Sequence, residues 1–261
     1  IDVHLCNFVW FDANKFEKAS RKRKLKMVHR VDGPTFKYRG SDRSVDDRNF
    51  ELNRKYASAT VCQSDWALKE LRAEGYEPVM PVVIHNAVDG DIFNSDDKVP
   101  FSRERKVRIV ASAWSDNPRK GGPLFKWMDT HLDWNKYEFT FVGRVQQSFD
   151  NIKIVPPQPS ESLADILRQN DVYIMASRQE CCSNAVIEAL SCGLPVLYID
   201  DAGNRELVKK AGLPFMNEDE AILQLEKLIA DYEKYKAAIS VKTISQVADM
   251  YLDVMHKVLA S

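Results

Sequence analysis

Short apolar runs alternate with amphipathic segments along the chain, and the alternation is sharpest after residue 100. Val107–Ala113 is rich in β-branched residues, which is typical of a parallel strand buried on both faces. The strict alternation predicts an α/β fold with a doubly wound parallel sheet, whose ligands bind at the carboxyl ends of the strands. Here we predict strands at Val107–Ala113, Tyr137–Val142, Ile152–Val155, Val172–Ala176 and Pro195–Ile199, and helices at Gly121–His131, from an N-cap at Ser160 to before Asp171, Asn184–Cys192 and Glu206–Ala211.

The first hundred residues show a weaker form of the same alternation. Asn86–Pro100 is polar and rich in turn residues, so we place a boundary there and predict domains at 1–97 and 98–238. The remaining residues, 239–261, form a last amphipathic helix. The other predicted elements are strands at Asp2–Phe11, Leu25–Val31, Ala59–Gln63 and Val82–His85, a helix and loop at Lys15–Lys26, and helices at Asp46–Tyr56, Asp65–Gly75, Asp219–Tyr235 and Ser240–Leu259.

Composition narrows the classes of function. A net charge of -1 gives no general attraction to nucleic acid, so we predict no nucleic-acid partner. Five cysteines in a chain with a large apolar fraction indicate reduced thiols and a cytoplasmic protein. No stretch approaches the roughly 20 apolar residues of a membrane helix. The basic run Arg21–Lys26 predicts either peripheral contact with anionic lipid at a membrane surface or a solvated face.

The strongest chemical signal lies between Val172 and Ile199. A buried strand is followed by a loop, and Ser183 and Asn184 then open a helix whose free N–H groups suit a phosphate. Glu180 precedes this helix and Glu188 lies about one turn inside it, so both carboxylates can face one ligand. The residues alone therefore predict an anion site between two glutamates.

This stretch resembles the group 1 retaining glycosyltransferases of the GT-B fold. Their signature is a glutamate, seven residues, a second glutamate followed by alanine, and then Gly-x-Pro-Val; here Glu180, Glu188-Ala189 and Gly193–Val196 match it. The resemblance implies two Rossmann-like domains with parallel sheets, and a last helix that packs back on the N-terminal domain. We count four strands before Asn86, so we expect an incomplete N-terminal acceptor domain, in a fragment or a shortened enzyme.

The resemblance also implies roles. Glu180 would hold the hydroxyls of the donor sugar, and Glu188 would accept hydrogen bonds from the ribose. Backbone amides near Ser183, Asn184 and Ala185 would cradle the diphosphate or the sugar.

A second motif follows the strand at Val107–Ala113. The family has Gly-Arg and then Lys-Gly, with both cations neutralising the departing diphosphate. Lys120-Gly121 matches, whereas Trp114 occupies the arginine position. Arg119 is predicted to substitute in space for the missing arginine, and Ser115 in the same loop is predicted to contact the donor.

Three weaker segments also fit the family. Val155 begins a proline-rich loop that resembles the one receiving the nucleotide base. Asp201–Glu206 resembles a Gly-Gly loop leading to a glutamate, or is a plain turn. His29, in Val28–Pro34, resembles a histidine that approaches the donor sugar, and the alternative is a structural histidine.

No metal or cofactor is predicted. Asp89-Gly90-Asp91 falls in the linker, and Cys181-Cys182 with Cys192 lacks the spacing and histidine of a zinc site. The resemblance implies a retaining glycosyltransferase, which we predict to be metal-independent and to serve polysaccharide biosynthesis. Its donor would be a UDP- or GDP-sugar, and its acceptor a glycan, a lipid-linked sugar or a small molecule. Two alternatives stay open: a nucleotide-sugar epimerase or hydrolase on the same fold, and a non-catalytic nucleotide-sugar binding module.

Overall fold

A computed structural model of the chain describes residues 2–23, 25–38 and 40–260. The chain divides into two compact units. The first comprises Ile1–Asn86 together with Ile244–Ser261, and the second comprises Ala87–Thr243. No helix within the described ranges has the length and apolar character needed to cross a membrane.

The described residues form strands and helices in regular alternation. The strands are β1 (Val3–Asn7), β2 (Lys26–Val31), β3 (Ala59–Cys62), β4 (Pro81–Val83), β5 (Val107–Ala113), β6 (Tyr137–Gly143), β7 (Lys153–Val155), β8 (Val172–Met175), β9 (Val196–Ile199) and β10 (Gly212–Phe215). The helices are α1 (Ala13–Arg23), α2 (Thr35–Tyr38), α3 (Arg43–Tyr56), α4 (Asp65–Ala73), α5 (Gly122–His131), α6 (Ser160–Gln169), α7 (Asn184–Ser191), α8 (Asn204–Val208), α9 (Glu218–Ala230), α10 (Tyr232–Ala237) and α11 (Ile244–Ala260).

The first unit is built on a parallel four-stranded sheet in the order β1-β2-β3-β4. The amphipathic helix α11 packs on this sheet, where Val254 and Val258 are buried with Val28, Val61 and Ile84. Burying this apolar face gives α11 its place in the first unit, although it follows the second unit in the sequence.

The second unit is built on a parallel six-stranded sheet in the order β10-β9-β8-β5-β6-β7. Helices cover both faces of the sheet, so neighbouring residues of β5 enter different cores. Ile109 packs with α5 and α9, and Val110 packs with α6 and α7. The predicted α/β fold with parallel sheets is therefore confirmed. The chain leaves β5 toward β6 on one side and later returns to β8 on the other. The order thus reverses between β5 and β8.

The structure corrects several element boundaries. β10 was not predicted, since Pro214 interrupts its pattern and is tolerated only because this strand lies at the sheet edge. The single helix predicted at Asp219–Tyr235 is two helices that meet at Asp231. Ser160 is the first helical residue of α6, and Pro159 takes the N-cap position.

Three further boundaries differ at the ends of the second unit. α8 spans Asn204–Val208 instead of Glu206–Ala211. The units divide after Asn86 instead of after residue 97, because Phe93 is buried in the core of the second unit. The last helix begins at Ile244 instead of Ser240, and Ile239 and Val241 still pack on the second unit.

Candidate functional site

The reversal of strand order creates a crevice at the carboxyl ends of β5 and β8, where ligands of doubly wound sheets bind. The loop after β5 carries Lys120, and the loop after β8 carries Glu180. Their side chains form a direct ion pair, and both are partly exposed. The structure thus brings together two predicted residues that lie far apart in the sequence.

Helix α7 begins beside this ion pair. Ser183 is its N-cap, and the Ser183 hydroxyl accepts a hydrogen bond from the Val186 N–H at 3.4 Å. Asn184 and Ala185 open the first turn, so their amide groups lie at the positive end of the helix dipole. The predicted helix start is therefore present in the fold, and its binding of an anion stays a prediction.

Glu188 lies one turn inside α7 and is half-buried. Within the described residues, its carboxylate has no hydrogen-bond or ion-pair partner. Burial raises the pKa of Glu188, because the charged form is less well solvated there. A half-buried carboxylate without a partner is expected to accept hydrogen bonds from a ligand.

The loops that carry Lys120 and Glu180 also contact each other through Arg119. Its carbonyl accepts a hydrogen bond from the Arg178 N–H at 3.0 Å, and its guanidinium donates to the Gln179 side chain at 3.3 Å. The two loops approach closely at Gly121, which has φ of 93°, where an added Cβ would lie 2.4 Å from the Ala176 Cβ. Glycine is required at this position.

Trp114 follows β5 directly, and 72% of it is exposed. Arg144, just after β6, lies over the indole ring with 5.0 Å between the guanidinium carbon and the ring centroid. Its guanidinium also donates to the Trp114 carbonyl at 3.3 Å and has no carboxylate partner within the described chain. Arg144 is not among the site residues predicted from the sequence. Its signal in the sequence is the pair Gly143-Arg144, which follows a predicted strand as the family's Gly-Arg pair does.

The other predicted residues of this unit also lie at the carboxyl ends of the strands. Ser115 is half-buried next to Trp114. Val155 is the last residue of β7, two strands away from β5. Both sit at carboxyl ends, and Val155 is the more distant from the crevice.

His29 in the first unit is fully buried. Its Nε2 donates to the Phe8 carbonyl at 2.8 Å, and its Nδ1 accepts from the Asn53 side chain at 3.1 Å, which assigns a neutral tautomer. Burial lowers the pKa of His29. Both ring nitrogens are occupied, so in this conformation the ring has no atom available to a sugar. These contacts favour the structural alternative, and the catalytic role of His29 stays a prediction.

In the described parts of the chain, no group of three His, Cys, Asp or Glu residues is placed to hold a metal ion. Asp89 accepts a hydrogen bond from the Asp91 N–H at 3.0 Å and thereby stabilises its own turn. All five cysteines are buried thiols.

The class of fold follows from these observations: an α/β fold with two parallel sheets, as in the GT-B glycosyltransferases. Residues 147–242 match the family described as Glycosyl transferases group 1, and this segment includes Glu180 and Glu188. No curated protein matches the sequence.

Several solved structures share the fold. Sucrose-phosphate synthase from Thermosynechococcus elongatus is 16% identical with a TM-score of 0.73, and the match covers 99% of this chain and 74% of that protein. HepE from Anabaena, in complex with UDP, is 14% identical with a TM-score of 0.75, covering 94% and 76%. The catalytic domain of Starch Synthase IV from Arabidopsis thaliana, bound to ADP and acarbose, is 12% identical with a TM-score of 0.70, covering 100% and 73%. At these identities the similarity shows the fold alone.

Proposed function

We propose that this chain is a glycosyltransferase that transfers a sugar from a UDP- or GDP-sugar to an acceptor with retention of configuration. The observation that carries the proposal is the ion pair between Lys120 and Glu180 at the reversal of strand order. A cation, a carboxylate and the start of α7 meet there, and a nucleotide sugar has complementary phosphate and hydroxyl groups. The family match over 147–242 and the UDP complex of HepE support the same donor class.

Each residue of the site has a role in this reaction. Lys120 and the first amides of α7 stabilise the negative charge that develops as the nucleoside diphosphate leaves. Glu188 accepts hydrogen bonds from the ribose hydroxyls. Glu180 orients the sugar while its anomeric carbon gains oxocarbenium character, and the acceptor oxygen attacks from the face that the diphosphate leaves. Because protein groups supply the positive charge, this proposal needs no metal ion.

Arg119 is proposed to add positive charge beside Lys120, since its loop carries both. The glycan, lipid-linked sugar or small molecule as acceptor stays a prediction, as does membrane contact through Arg21–Lys26. Of that segment, Arg21–Arg23 form the last turn of α1, and Lys24 lies outside the described residues.

The first experiment is a calorimetric titration with UDP, GDP, ADP and CMP. We expect one diphosphate to bind at roughly micromolar to tens of micromolar, on the order of -7 to -8 kcal/mol. Lys120→Ala should lose this binding. Lys136→Ala is the matched control, because Lys136 directly precedes β6 and therefore lies at the amino ends of the strands, opposite the proposed site. Binding of no nucleotide by the wild type would contradict the proposal.

A second experiment separates the proposed reaction from its rivals. The matching nucleotide sugar is incubated with and without a panel of acceptors, and the products are analysed by NMR. Transfer with an unchanged anomeric configuration supports the proposal. Turnover that needs no acceptor indicates an epimerase or hydrolase, and binding without turnover on any acceptor indicates a binding module.

A further inference from the structure

The loop between β9 and α8, residues 200–203, contacts the loop that carries Glu180. One Asp201 carboxylate oxygen accepts a hydrogen bond from the Gln179 N–H at 3.0 Å. The Gly203 N–H donates to the Glu180 carbonyl at 2.9 Å. At the start of α8, the Asn204 amide donates to the Ser177 carbonyl at 3.4 Å. These three hydrogen bonds hold the backbone before Glu180, at Ser177 and Gln179, and at Glu180 itself.

The contact leaves no room for adjustment at Gly203. A Cβ added there would lie 2.1 Å from the Cys181 carbonyl oxygen and 3.1 Å from that of Glu180. Since both neighbours are backbone atoms, they cannot move aside as a flexible side chain would. Gly203 therefore lets the two loops approach to hydrogen-bonding distance.

The Glu180 loop needs such support because its backbone is strained. Gln179 has φ of 59°, in the left-handed region that is unfavourable for a residue with a side chain. Such a conformation persists where the surroundings determine it, and the hydrogen bond from Gln179 to Asp201 does so here. The strain lies one residue before Glu180, so releasing it would change the direction of the Glu180 side chain.

We infer that Asp201 is a positioning residue of the reaction, which fixes Glu180 toward the donor sugar through Gln179. Asp201 itself need not touch a ligand. The inference rests on the proposed function, in which Glu180 orients the sugar. It assigns the loop after β9 a role in the rate of transfer and none in binding the nucleotide.

The test compares Asp201→Ala, Asp201→Asn and the double variant Asp201→Ala/Gln179→Gly. Asp200→Asn is the control, because the neighbouring Asp200 pairs with Arg205 and makes no hydrogen bond to the Glu180 loop. The measurements are kcat and KM for transfer, the Kd for the nucleoside diphosphate, and the Tm.

We expect Asp201→Ala to lower kcat about 10- to 100-fold, because a small displacement of an orienting group has an effect of that size. The affinity for the nucleoside diphosphate should not weaken. Asp201→Asn retains an acceptor oxygen and should recover most of the rate. The added Gln179→Gly should recover little, since it removes the strain without restoring the hydrogen bond. An unchanged kcat overturns the inference, and so does a parallel loss of kcat, nucleotide affinity and Tm, which would indicate a structural role only.

Hydrogen exchange keeps this inference separate from the proposed function. The Gln179 and Glu180 amides should exchange faster in Asp201→Ala than in the wild type, and Asp200→Asn should show no change there. If the wild type binds no nucleotide while this difference in exchange is observed, the proposed function fails and the loop contact is confirmed without its catalytic role. Equal exchange in the wild type and Asp201→Ala overturns the inference, whatever the protein binds.

Discussion

At the scale of single residues, a diphosphate that binds Lys120 has to compete with Glu180 for the same ammonium group, since the two side chains form an ion pair. The carboxylate therefore opposes nucleotide binding even though it is proposed to serve the sugar. Because both side chains are partly exposed, water screens the pair and its contribution is modest.

We predict that Glu180→Gln tightens binding of the nucleoside diphosphate by about two- to fivefold, in line with the energy of partly exposed ion pairs. Transfer should fall in the same variant. Calorimetric titration measures the affinity. Asp200→Asn is the control, because it also removes a carboxylate at the carboxyl ends of the strands. An affinity that stays unchanged or weakens in Glu180→Gln would show that Glu180 does not compete with the diphosphate for Lys120.

We predict that the Glu188 carboxylate lowers the stability of the folded protein and strengthens nucleotide binding. Burial raises its pKa above the ordinary value of 4.5, so above the raised pKa its ionisation opposes folding. Glu188→Gln should therefore raise the Tm at neutral pH, and the gain should disappear as the pH falls below 4.5. The same substitution should weaken nucleotide binding by about 1–2 kcal/mol, because a carboxylate accepts stronger hydrogen bonds than an amide.

Thermal unfolding and calorimetric titration of the same samples check both halves of this prediction. Glu161→Gln is the control, since Glu161 is an exposed carboxylate in the first turn of α6. A Glu188→Gln protein with unchanged nucleotide affinity would remove Glu188 from the site.

His29 gives the opposite pH dependence. Burial lowers its pKa below the ordinary 6.5, so the folded state resists protonation and loses stability as the pH falls below 6.5. We predict that His29→Ala lowers stability at pH 7.5 by about 2–4 kcal/mol and flattens the acid dependence of the Tm between about pH 7 and 5. Thermal melts across this range measure it. Loss of transfer with an unchanged Tm would support the predicted catalytic role instead.

At the scale of elements, the site depends on how closely the turn before α5 approaches the end of β8. Gly121 has φ of 93° and lies against Ala176, whereas Gly75 at the end of α4 has φ of 85° and open space around it. The two glycines share a backbone conformation and differ in packing, so they form a matched pair.

We predict that Gly75→Ala costs about 1–2 kcal/mol from the left-handed backbone alone. Gly121→Ala should cost more and should also weaken nucleotide binding at least severalfold, because separating the two loops moves Lys120 away from α7. Chemical denaturation and calorimetric titration measure the two effects. Equal costs for both variants, with nucleotide affinity retained, would mean that the loops tolerate separation.

The elements themselves could largely be predicted from hydrophobic periodicity, because strands buried on both faces and amphipathic helices carry clear patterns. β10 could not, since its four residues include glycine and proline. Glu180 and Lys120 were both predicted as site residues, but their pairing depends on β8 lying next to β5, which only the sheet order reveals. The contacts of Arg144 and Asp201 are tertiary and leave no periodic signal in the sequence.

At the scale of the whole molecule, the two units have separate cores. The clusters on both faces of the second sheet contain residues of the second unit alone, and all the proposed nucleotide-binding residues belong to it. The first unit, by contrast, needs α11 from the far end of the chain to cover its sheet. A defect in α11 should therefore weaken the first unit without removing nucleotide binding.

Val254→Asp tests this separation, because Val254 on α11 is buried against the first sheet. A buried, unpaired carboxylate should destabilise the first unit by about 3 kcal/mol or more. Leu252→Asp is the control on the same helix, since Leu252 is 49% exposed, and it should change the stability little.

Scanning calorimetry should show one transition whose temperature is lowered by Val254→Asp. Nucleoside diphosphate at 100 times the Kd should stabilise the second unit by about 2.7 kcal/mol and so raise the temperature of the other transition. The Kd itself should match that of the wild type. If Val254→Asp abolished nucleotide binding while Leu252→Asp did not, the site would depend on an intact first unit, and the proposed binding residues of the second unit would not suffice.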